Sequence, residues 1–191
     1  MTLTFVLSLA LLSPHAQELR LPPGCTLKTF SIASPEGWSS TNLQDPPKGR
    51  EGCMFLRLRP DKTPAAVIEV ESLDASLPVV RTADPFATLA GKITEGLKAH
   101  MNVAVGDLTF RNDDLKRAPR SPIDRAAMYA FDATVAGSKV PHEVVIVVAR
   151  SPALFFTVFG VTPSAKADAQ VREATQDAVR RLVNSLSPVA K

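Results

Sequence analysis

Two stretches of helical periodicity punctuate a chain that is otherwise patterned for β-strands, and this alternation restricts what the chain can fold into. The first stretch opens at Asp84, a residue suited to capping a helix, and Pro85, whose fixed φ suits the first helical position. Phe86, Leu89, Ala90, Ile93, Leu97 and Met101 then recur at helical spacing, with Lys92, Glu95 and Lys98 on the other side. That polar side is mixed in sign rather than basic, which reads as a helix laid on a core and not as a membrane-surface helix. The second stretch spans 164–186, with Ser164 as a candidate cap. It places Val171, Ala174, Ala178, Leu182 and Leu186 on one face, and Pro188 marks its end.

Strand signals fill the remainder. Residues 27–33 suggest a first strand, stopped by Ser34-Pro35-Glu36-Gly37, and a polar loop rich in Pro and Gly is expected from Ser39 to about Gly52. Residues 53–59 and 66–71 alternate with period two, as half-buried strands do. After the first helix, strands are expected at 103–111, 128–135 and 144–148. A charged loop separates the first two, and a tight turn at Ala136-Gly137-Ser138-Lys139 closes a hairpin between the last two. The run 154–161 is the most apolar strand. Strands joined by short turns run antiparallel, and two long amphipathic helices need a sheet face to cover. The expected architecture is therefore α+β: an antiparallel β-sheet flanked by helices in an α/β/α sandwich.

Length and cysteine content add an address. With 191 residues the chain suits a single domain after removal of an export segment. Residues 3–12 form an apolar run too short to cross a bilayer as a helix but matching the apolar region of a secretory signal. Cleavage is expected after Ala16, leaving 17–191 as the domain, although no Lys or Arg precedes the run and Pro14 stands where a small residue is preferred. The alternative is a buried N-terminal strand or helix in a cytosolic protein. Charged Glu18 and Arg20 separate Cys25 from the apolar run, which argues against a lipid anchor. Cys25 and Cys53 are the only cysteines, and in an exported chain they suit one disulfide. Closing a loop of about 29 residues would stabilise the fold by roughly 3 to 4 kcal/mol. Two free buried thiols, acting as small hydrophobes, are the alternative.

Recognisable catalytic motifs are missing. The formal net charge is only +3, with acids and bases intermixed, so composition does not announce a nucleic-acid partner. There is no Gly-rich phosphate loop, no G-x-S-x-G elbow and no S-x-x-K motif. Of the three histidines, His15 would leave with the signal, so His100 and His142 are the only candidate bases. His142-Glu143-Val144-Val145-Ile146 begins like a metalloprotease motif but ends in Ile on an expected strand, where two ligands cannot share one helical face; neither a metal nor a cofactor is expected.

Two constellations stand out as candidate partner-binding features. The loop 111–125 carries Arg111, Lys116, Arg117, Arg120 and Arg125 with three acids, suited to docking a protein or anionic ligand; a solvated connection is the plainer reading. Trp38, the lone tryptophan, follows a turn and can anchor a partner or close the end of the core under a loop.

The stretch Phe30-Ser31-Ile32-Ala33-Ser34-Pro35-Glu36-Gly37-Trp38 resembles the aromatic, apolar, Pro, Gly, Trp opening of the PsbP-like and DcrB-like domain family. Later order also resembles that family: a central helix, a charged connection, a meander containing Met128-Tyr129-Ala130-Phe131, then Phe155-Phe156-Thr157-Val158 and a final helix. The resemblance covers roughly residues 26–187. It implies an antiparallel sheet between helices, usually without catalysis, as used by bacterial envelope proteins, a photosystem extrinsic subunit and small adaptor proteins. The leading expectation is a non-enzymatic, periplasmic or secreted interaction module. It would bind a protein partner, either as a monomer or in complex, with no stable membrane anchor after signal cleavage. An immunity or assembly factor that blocks or chaperones a partner is one alternative. Another is a small-ligand carrier or hydrolase, which would need a sizeable pocket holding His100 or His142 and a carboxylate.

Overall fold

The computed structural model describes residues 24–43, 50–101, 104–105, 109–110, 123–134 and 140–188. The segment 1–16 expected to be a signal, the loop 44–49, most of the charged loop and the turn 135–139 lie outside them. In chain order the elements before the first helix are β1 (Gly24–Thr26), β2 (Phe30–Ala33), β3 (Ser39–Asn42), β4 (Arg50–Leu58) and β5 (Pro64–Asp74). A short 3-10 turn at Pro78–Val80 leads into α1 (Pro85–Met101), followed by β6 (Ala104–Val105), β7 (Thr109–Phe110), β8 (Arg125–Thr134), β9 (His142–Arg150) and β10 (Leu154–Pro163). The chain ends in α2 (Ala165–Ser185) and β11 (Ser187–Pro188).

The principal sheet runs β3-β4-β5-β10-β9-β8-β6, with β7 also on β8, and every described pair is antiparallel. A second, small sheet, β1-β2-β11, packs against α2. The α+β class with an antiparallel sheet between helices is therefore the observed one.

Strand alternation divides the core between two faces. On one, Ile68, Val70, Val145, Val147, Phe156 and Val158 pack under Ala178, Val179 and Leu182 of α2 and under Phe30 and Ile32 of the small sheet. On the other, Ile146, Val148, Phe155 and Phe159 pack under Phe86, Leu89, Ala90, Ile93 and Leu97 of α1. Central strands β9 and β10 are covered on both sides, which is why their sequences are continuous apolar runs rather than alternating ones. Gly160 sits where α2 crosses β10: a Cβ there would lie 3.3 Å from both Thr175 and Val179.

The helix ends differ from each other. The Asp84 carboxylate accepts the N–H of Phe86 and of Ala87, each at 3.1 Å, so the expected cap forms. Ser164 does not cap α2, and its buried hydroxyl has no hydrogen-bond partner. The backbone instead turns extended at Asp168, and the Asp168 carboxylate accepts the N–H of Val171 at 3.0 Å. The helix is re-capped one turn late.

Several expected strands change shape. The polar stretch after Trp38 is not wholly a loop: Ser39–Asn42 pairs with β4 (Ser39 with Leu56, Asn42 with Cys53) and forms the sheet edge. The single strand expected at 103–111 is replaced by the two-residue strands β6 and β7, both lying on β8. The first strand is shorter than 27–33, because Leu27 donates its N–H to the Phe30 carbonyl and turns the chain between β1 and β2. The β8–β9 hairpin is paired up to Ala133 and His142.

Candidate functional site

The turn before β3 is fixed by local chemistry. Trp38 donates its N–H to the Pro35 carbonyl at 3.1 Å, and Gly37 takes φ +76°, the left-handed value that the third position of a type II turn requires. Ser34 fastens the turn by donating its hydroxyl to the Trp38 carbonyl at 2.8 Å. The turn thereby carries Trp38 inward, where it is 8% exposed and joins the core under α2.

Beside Trp38 lies a recess of about 200 Å³. Pro35, Glu36 and Trp38 of the turn and Arg57 of β4 form one side. Ala174, Asp177, Ala178 and Arg181 of α2 form the other. The small side chains at 174 and 178, one helical turn apart, leave the space. Asp177 pairs with Arg181 at 3.2 Å and with Arg180 at 3.7 Å. The recess is smaller than the roughly 300 to 1,000 Å³ usual for small-molecule sites, and of a size to take one large side chain. Among the described residues, neither histidine nor cysteine lines it.

The candidate residues are not brought together. Arg125 opens β8 on the α1 face, with its guanidinium 4.5 Å from the centre of the Phe86 ring, whereas Trp38 belongs to the α2 face. Arg111, Lys116, Arg117 and Arg120 lie outside the described residues. Cys25 and Cys53 form the disulfide, both buried, and tie β1 of the small sheet to β4 of the principal one. His142 and Glu143 sit in β9 and so point to opposite faces. Among the described residues no group of three His, Cys, Asp or Glu side chains could hold a metal.

Buried charge went unseen in the sequence. Glu143 is 4% exposed and is held by Arg172 of α2 through both carboxylate oxygens, with Gln176 donating to it at 3.2 Å. Glu69 and Glu71 of β5, a strand expected to be half-buried, are 3% and 5% exposed. Arg50 of β4 stands 3.6 Å from Glu71. Burial, then the neighbouring Glu71 charge, pushes the Glu69 carboxyl up to about 8, against the opposing effect of Arg50; burial also raises Glu71. No described helix is long and apolar enough to cross a membrane.

No protein-family model and no curated protein matches the chain. Among solved structures, the Ran-binding protein Mog1p of Saccharomyces cerevisiae is similar at 11% identity and TM-score 0.48, over 83% of this chain and 89% of that one. A Bacteroides thetaiotaomicron protein is similar at 11% identity and TM-score 0.37, over 85% of this chain and 46% of that one.

Proposed function

We propose that this chain is a non-enzymatic, exported interaction module of PsbP-like fold that binds another protein through the face bearing Trp38. The observation that carries this reading is the recess itself: a side-chain-sized hollow beside the lone tryptophan, rimmed by Glu36, Arg57, Asp177 and Arg181. An aromatic and arginines around a small hollow are the groups that dominate protein interfaces, and a hollow of this size accepts an anchor residue rather than a metabolite. The fold-family reading rests on the Phe30–Trp38 stretch and the order of elements. Export is supported by the buried Cys25–Cys53 disulfide, since such bonds persist in oxidising compartments.

The test is affinity capture of the chain expressed with its own N-terminus in its native cell, alongside Ala174→Arg, which fills the recess from a half-buried position of α2. A partner captured by the native chain and lost by the folded variant supports the reading. Intact mass should show a chain beginning at Gln17 and lighter by two hydrogens before reduction. Equal capture by both chains would remove the recess from the account, and retained residues 1–16 with free thiols would remove export.

A further inference from the structure

The charges around the Trp38 recess are unequally satisfied. Asp177 is paired with both Arg180 and Arg181 within α2. Glu36 stands exposed on the turn, where solvent screens it. Arg57 differs from both: it is half-buried, lines the recess, and makes no ion pair among the described residues. A partly desolvated guanidinium in a recess gains more from an incoming carboxylate than an exposed one does, because less water is displaced for the same attraction. The planar fork of arginine also suits a carboxylate held in one orientation.

We infer that the recess seats an acidic side chain of a protein partner, its carboxylate meeting Arg57 and its aliphatic stem lying along Ala174, with Trp38 beneath the recess. This rests on the proposed role of the Trp38 face in binding a protein, and it names the chemistry that the partner brings.

The chain contains one tryptophan, so its emission reports the recess directly. The probes are three capped pentapeptides, Gly-Leu-X-Leu-Gly with Glu, Gln or Lys at X, titrated into the disulfide-bonded chain. The Glu peptide should shift Trp38 emission saturably and bind about tenfold more tightly than the Gln peptide, with affinity falling as salt rises. Arg57→Gln should remove that preference, and Arg57→Glu should transfer it to the Lys peptide. Circular dichroism of both variants checks that they are folded. Equal responses to Glu and Gln, or a stronger response to Lys in the native chain, would overturn the acidic partner while leaving the docking face in place. Silence from all three peptides would also overturn it. If Ala174→Arg then still captured the native partner, the docking face would fall as well.

Discussion

The two faces of the principal sheet bury carboxylates in opposite ways. On the α2 face, Glu143 is matched by the Arg172 fork and by Gln176, which hold both of its carboxylate oxygens. On the α1 face, Glu69 and Glu71 lie two residues apart on one strand with a single Arg50 nearby, and burial favours the neutral form of Glu69. A sheet can thus take in an acid by pairing it or by keeping its proton. The first solution depends on a helix side chain, and the second depends on pH.

The largest expected effect breaks the second solution. Glu69 titrates from an ordinary value of 4.5 when unfolded to about 8 when folded. Its stabilising contribution is therefore complete below the unfolded value and is lost as pH rises through the folded one. Across that window the native chain should lose stability, by at most about 4 to 5 kcal/mol from this group. Glu69→Gln should flatten most of the decline, and the raised Glu71 leaves a remainder. Urea unfolding of both chains at stepped pH measures the difference.

Next comes the paired acid. Arg172→Met leaves Glu143 buried without its cation and should cost about 3 kcal/mol, near the low end for buried pairs because Arg172 is 21% exposed. The double variant with Glu143→Leu should regain most of that loss, since an apolar pair of similar volume fits the same space. If the single and double variants are equally destabilised, packing rather than charge holds this junction.

The smallest effect compares the two helix starts. Asp84→Ala should cost about 1 kcal/mol by removing two accepted N–H bonds. Ser164→Ala should be neutral or slightly stabilising, because that buried hydroxyl has no partner to lose. Thermal unfolding resolves the two.

These contrasts also mark where local sequence is informative. Helix α1 is readable because cap, proline and apolar face agree within one segment, and all five described face residues, from Phe86 to Leu97, are buried. The cysteine pair was readable from parity and context, with two free thiols left as the alternative. Strand β3 was not, because Ser39-Ser40-Thr41-Asn42 has little strand preference and is extended by its pairing to β4. Burial of Glu69 and Glu71 was equally hidden, since alternation shows which residues share a face but not whether that face is covered. Trp38 was singled out by its rarity. Its neighbours Arg57, Asp177 and Arg181 come from distant segments that only tertiary packing brings together. The signal in hindsight is the Ala174 and Ala178 pair beside Asp177 and Arg181, a small-residue gap with an ion pair one turn apart.

The central claim is that a protein partner sits on the Trp38 face and not on the opposite one. The most direct measurement places a photo-crosslinking side chain at Arg181, exposed on the rim of the recess, and separately at Lys98, exposed on α1, in the chain expressed in its native cell. The account predicts a discrete crosslinked protein from position 181 that disappears with Arg57→Glu, and none from position 98. The same adduct from both positions, or none from position 181, would contradict it.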